Sequence, residues 1–209
     1  MSTRALLRTL GPTFLRPPRG AEWAADVVRV LVALSVPVAG IGWGAIDLAV
    51  AMLALLGAVV PRMLGLRPAF DIAVGVLSSV AAWSSTLDWY TTVSGWDKAV
   101  HVVLVGLLGV LLCVIASDLG VLQDVRTLSI AALVVVCGAA GLAIGSVWEM
   151  GEWVGHTYLD ATIFVGYDDT IGDLAADFVG ALAGGALLRW AASDRRVVAA
   201  RSDRATGTR

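Results

Sequence analysis

Three short blocks in the second half of the chain carry the residues able to do chemistry: WDKAVH at 96–101, WEMGEW at 148–153 and DDTIGDLAAD at 168–177. Asp97, Glu149, Glu152, Asp169, Asp173 and Asp177 supply six carboxylates, set against one imidazole, His101, and one ammonium, Lys98. Brought into one small site, that many like charges must either share protons or hold a cation. Oxygen-rich ligands with a single imidazole suit a hard or borderline divalent ion such as Mg²⁺, Mn²⁺, Ca²⁺ or Zn²⁺. In such a site Glu152 would be the carboxylate to act as base on a metal-activated water.

The spacing allows the three blocks to meet. Asp97 and His101 are one helical turn apart and share a face. Gly141, Gly145, Glu149 and Glu152 follow one another at steps of four, four and three, and Asp169, Asp173, Asp177, Gly180 and Gly184 at four, four, three and four. Each set is a stripe along one helix, with glycines at membrane depth and acids at one end. Small residues four apart let helix backbones approach closely, so the fifth and sixth spans are expected to pack along these stripes and join their acids. Single residues also admit plainer roles: Asp169 with Thr170 as a helix cap, Asp97 with Lys98 as a surface pair, His101 as a packing histidine. Asp177 is different. It lies two turns into an apolar run, where a charge facing lipid costs several kcal/mol, so it must face the bundle interior or a water-filled cavity.

The elements that position these residues are membrane helices. The chain is 58 % hydrophobic with a mean hydropathy of +0.82, and its apolar residues come in runs long enough to cross a bilayer. Six spans are expected, at about 27–43, 48–64, 70–86, 99–116, 128–148 and 174–191. The fold class is therefore all-α, a polytopic bundle of about six transmembrane helices occupying 24–192 as one domain. Residues 1–23 read as a loose or interfacial basic arm, with no removable signal peptide, and 193–209 as a short disordered basic tail. The tail holds no aromatic residue and serves as a topology anchor, with no nucleic acid as partner.

Thirteen arginines at the N-terminus, the two even loops and the C-terminus face a single Lys98 on the other side. The positive-inside rule then puts both termini in the cytoplasm, with the acid blocks outside. Arg29, inside the first span, is expected to snorkel to the interface. Trp43, Trp89, Trp96, Trp148 and Trp153 fit an aromatic belt at the outer ends. Cys113 and Cys137 fall within spans, away from oxidising loops, and read as small packing residues.

Taken together, the blocks resemble the signature of the YjdF-like family of bacterial inner-membrane proteins, roughly D-K-x-x-H, then W-E-x-x-E, then D-T-x-x-D-L-x-x-D-x-x-G-A. The resemblance takes in Asp97, Lys98 and His101; Trp148, Glu149 and Glu152; and Asp169, Thr170, Asp173, Leu174, Asp177, Gly180 and Ala181. It implies a bacterial cytoplasmic membrane and names no reaction. His156 stands where that pattern more often has aspartate, and reads as a polar loop residue rather than a ligand. Three functions stay open: a structural or binding network joining three helices; a metal-dependent hydrolase or transferase acting on lipid or lipid-linked substrates at the outer leaflet; and a cation or proton transporter. Phosphate-loop, dinucleotide, nucleophile-elbow and haem-attachment motifs are missing from the sequence.

Overall fold

A computed structural model describes residues 3–198, with side chains from residue 6 onward. Among the described residues every regular element is helical. A short helix, α1 (Thr3–Leu15), precedes three long ones, α2 (Glu22–Gly42), α3 (Ala45–Met63) and α4 (Pro68–Thr86). After a single turn, α5 (Trp89–Thr92), comes a composite helix: α6 (Trp96–Val100), a π-helical turn (His101–Val105) and α7 (Gly106–Asp118). Two more long helices, α8 (Ile130–Tyr158) and α9 (Tyr167–Ala191), complete the bundle. Six of these units, with α6 to α7 counted as one, are long and apolar enough to span a membrane.

Local chemistry sets the boundaries. Ser129 caps α8 by accepting from the Ala132 amide at 3.1 Å, and Pro68 sits in the first turn of α4, where its missing N–H costs nothing. Gly44, at φ +111°, turns the chain between the first two spans. The last two spans are longer than their apolar cores. The fifth continues ten residues past Trp148 to Tyr158, and the sixth starts seven before Leu174, at Tyr167. As a result Glu149, Glu152, Asp169 and Asp173 stand on helices rather than in loops.

The spans sort into two three-helix groups. One contains α2, α3 and α4, the other α7, α8 and α9, and α4 touches the π turn between them. The larger core, around Phe70, Val74, Val110, Val114, Leu133 and Leu188, ties both groups together. Gly141 meets Ala181 and Asp177 across the α8–α9 contact, as the stripes required. Gly180 and Gly184 do not face α8: a Cβ on Gly180 would overlap the Val102 carbonyl, and one on Gly184 would stand 2.5 Å from the Gly106 carbonyl. Those two glycines admit the composite helix instead, and Gly185 takes the place opposite Leu133 and Val134 of α8. Helix α9 is thus wedged between two neighbours, with small residues on both faces, which a one-stripe reading could not anticipate.

Three further expectations need revision. Arg29 does not snorkel: it is 7 % exposed and its guanidinium binds both Asp71 oxygens at 2.8 Å and the Ala58 carbonyl at 2.9 Å, because buried acceptors lie nearer than the interface. The N-terminal arm is not loose, since α1 buries Leu6, Thr9 and Thr13 against the bundle. Tail residues 193–198 are docked: the Arg196 amide donates to the Gly65 carbonyl at 2.8 Å, and Arg195 pairs with Asp118 at 2.6 Å. Residues 199–209, the remainder of the expected disordered tail, lie outside the described residues.

Candidate functional site

Helices α6, α8 and α9 bring the three blocks to one end of the bundle. At their centre, one nitrogen of His101 and one carboxylate oxygen each from Asp97 and Asp173 lie within 4.8 Å of one another. Donors about 2.1–2.4 Å from a common ion stand up to about 4.8 Å apart, so one cation could reach all three. Asp173 is 2 % exposed and Asp177 fully buried, whereas Asp97 is half-buried.

Asp177 orients the histidine. Its Oδ1 lies 2.9 Å from His101 Nδ1. An ionised carboxylate can only accept, so Nδ1 donates, and in the neutral ring Nε2 presents its lone pair on the side of Asp97, 3.7 Å away. Carboxylate–histidine pairs of this kind fix ring orientation at metal centres. The other oxygen, Asp177 Oδ2, fills the space left by the missing side chain of Gly145, which explains a glycine one turn before Glu149. His101 also opens the π-helical turn, and single π turns inside α-helices recur at functional sites.

Satisfaction of the buried oxygens is incomplete. Among the described residues, Asp173 Oδ1, Asp177 Oδ2 and Glu149 Oε1 have no hydrogen-bond partner, as do three guanidinium nitrogens of Arg16 and Arg62 at the far end of the bundle. Lys98 Nζ stands 3.5 Å from Asp173 and 3.6 Å from Asp169, so its partners are on α9 and not the adjacent Asp97. Glu152 accepts from Trp148 Nε1 at 3.0 Å. Glu149, Glu152 and Asp169 therefore surround the triad rather than join it. Asp169 lies in the first turn of α9, while Gly166 holds the cap position. His156 is no ligand in this arrangement, since its Nδ1 lies 2.6 Å from the Ile163 carbonyl and ties the end of α8 to the following loop.

Tyr90 was missed by sequence reasoning. Burial, with Asp97 and Glu152 close by, pushes its phenol well above the ordinary range, and the hydroxyl donates to the Ala81 carbonyl at 3.0 Å. Trp96 likewise donates to the buried Ser84 hydroxyl at 2.9 Å, anchoring α6 to α4. Neither residue has a spacing signal, because each works across helices.

Residues 27–194 match the family described as "Predicted membrane protein (DUF2238)". The chain belongs to this family. The matched stretch runs from the first span to just beyond the sixth and takes in the whole acid cluster. No curated protein and no solved structure matches the chain.

A second cluster, at the opposite end of the spans, was also missed. Glu22 accepts from Arg16 at 2.6 Å, pairs with Arg62 at 3.2 Å, and is bound by Arg196. Arg62 reaches Asp26 at 3.6 Å and donates to the Arg16 carbonyl at 2.8 Å. Arg29 bridges Asp26 and Asp71. Burial holds Arg16 below its usual range, against the pull of its bond to Glu22. The acids concerned are single residues at helix starts, without any repeat to draw attention to them.

Proposed function

We propose that the acid end is a divalent-cation site, with Asp97, His101 and Asp173 as ligands and Asp177 holding the histidine in place. The observation that carries this reading is the converging donor triad, in which buried Asp173 has an oxygen, Oδ1, with no hydrogen-bond partner and only the Lys98 ammonium, 3.5 Å away, as counter-charge. Each buried acceptor left unmade costs about 1–3 kcal/mol. A cation would satisfy the carboxylates of the triad and relieve their repulsion at once.

The setting we propose is a bacterial cytoplasmic membrane, with both termini cytoplasmic and the cation site toward the outer leaflet. Support comes from thirteen arginines against one lysine across the bilayer and from the likeness of the three blocks to the YjdF-like pattern. Residues 24–192 form the transmembrane domain in this reading, with 1–23 and 193–209 as cytoplasmic extensions. The hydrolase or transferase reading, with lipid or lipid-linked substrates, needs a base beside the cation. Glu152, outside the triad and held by Trp148, is the carboxylate left for that role.

Titration of the purified chain in lipid nanodiscs with Mn²⁺, followed by the loss of the free-ion paramagnetic signal, tests the site. About one ion per chain should bind, and Asp173→Asn should abolish it. Wild-type protein that leaves Mn²⁺ free at millimolar concentration would overturn the proposal.

A further inference from the structure

Lys98 is the only lysine in the chain, against fourteen arginines. Elsewhere, carboxylates meet guanidinium groups at hydrogen-bond distance: one Arg29 nitrogen on both oxygens of buried Asp71 at 2.8 Å, and two Arg195 nitrogens in a fork on half-buried Asp118 at 2.6 and 2.8 Å. At the acid end the partner is a flexible point charge held loosely. The Lys98 side chain is 48 % exposed, while that of Asp173 is 3 % exposed, so the ammonium can leave for solvent without disturbing the packing around its partner. Its path is also built in. The stem lies across Gly172, where a Cβ would stand 2.7 Å from Lys98 Cε and 3.2 Å from Nζ. A side chain at 172 would make the lysine stem shift from its place between Asp169 and Asp173.

We infer that Lys98 is a tethered, exchangeable counterion: its ammonium neutralises Asp169 and Asp173 while the site is free, and a divalent cation binding at Asp97, His101 and Asp173 displaces it. The inference rests on the cation-site reading and adds a determinant of affinity to it. A compact ammonium on a four-carbon stem suits exchange, whereas an arginine fork would lock onto the carboxylates and exclude the ion. The displaced Lys98 then stands free at the mouth of the site, where an anionic group brought by a substrate would meet it.

The experiment is Mn²⁺ titration of the full chain in nanodiscs of uncharged lipid, for wild type and three variants. Lys98→Gln removes the competitor and should tighten binding by about three- to tenfold. Gly172→Ala keeps the lysine but crowds its stem off Asp173, and should tighten binding in the same direction. Lys98→Arg keeps the charge but grips harder, and should weaken binding by about as much. Because Lys98 is the only side-chain amine, amine-reactive labelling measured on its peptide by mass spectrometry gives a second readout, and its rate should rise when Mn²⁺ is added. If Lys98 acted only as a general positive charge, Gly172→Ala and Lys98→Arg would both bind like wild type, and that result would overturn the inference while leaving the cation site intact. Unchanged or weaker binding in Lys98→Gln would do the same. Absence of binding in wild type and Lys98→Gln alike would overturn the site itself, and the exchange with it.

Discussion

The two ends of this bundle solve the burial of charge in opposite ways. At one end Arg16, Arg29, Arg62 and Arg196 enclose Glu22, Asp26 and Asp71 with several short hydrogen bonds, while Arg16 Nε, Arg62 Nε and Arg62 Nη1 are buried without a hydrogen-bond partner. At the other, Asp97, Glu149, Glu152, Asp169, Asp173 and Asp177 share one histidine and one loosely placed lysine, and three buried oxygens have no hydrogen-bond partner. Helix α1, the α3–α4 turn and the docked residues 193–198 all contribute to the arginine end, which fits a fastening of these segments to the bundle. Cations slightly outnumber carboxylates at the arginine end, whereas carboxylates far outnumber cations at the acid end, which is why a cation is proposed only there.

The largest expected effect lies at the arginine end. Arg62 is 2 % exposed and touches Glu22, Asp26 and the Arg16 carbonyl. Arg62→Met would take a buried cation from beside Glu22 and Asp26 and leave the Arg16 carbonyl without its donor, and should lower stability by about 3–5 kcal/mol, seen as a fall in thermal midpoint in detergent. Added Mn²⁺ should not restore it. A loss below about 1 kcal/mol would break the contrast by showing that the matched network is not needed for folding.

Gly145→Ala comes next, because its methyl group would overlap the Asp177 carboxylate. A cost of about 1–3 kcal/mol is expected, together with loss of Mn²⁺ binding as Asp177 is pushed from His101. Normal binding in this variant would show that Asp177 does not orient the ligand histidine. The smallest effect belongs to an exposed pair at the arginine end. Arg126 holds the Asp124 carboxyl down to about 2, from an ordinary 3.8, through side-chain and amide hydrogen bonds. A depressed carboxylate contributes stability above pH 4 and loses it as pH falls from about 4 toward 2. Both side chains are exposed, so Asp124→Asn should change neutral-pH stability by less than about 0.5 kcal/mol and flatten only that acid limb.

These regions differ equally in how far the sequence discloses them. The acid end is written at helical spacing: Asp97 with His101, Glu149 with Glu152, and Asp169, Asp173 and Asp177 each recur on one face, so their convergence could be expected once the spans were drawn. Period alone does not say which of two neighbours a small residue meets, so Gly180 and Gly184 were assigned to the wrong helix contact. It also does not show the π turn at His101, in the stretch where the Val102 and Gly106 carbonyls come against Gly180 and Gly184 of α9. The arginine end left no such trace. Its members come from the residue after α1, from α2, α3 and α4 and from the tail, and Arg29 reads as an interface anchor until Asp71, forty-two residues away, is seen beside it.

The most direct test of the contrast is the thermal midpoint of wild type and Asp173→Asn, each with excess chelator and with saturating Mn²⁺. A ligand bound only by the folded state at 100 times its dissociation constant stabilises by about 2.7 kcal/mol. Wild type should therefore melt several degrees higher with Mn²⁺ than with chelator. Asp173→Asn, having lost one buried like charge and one ligand, should match or exceed wild type in chelator and gain nothing from the ion. Equal wild-type midpoints in both conditions, with Asp173→Asn less stable than wild type in chelator, would contradict the account and make the acid end a structural network like its counterpart.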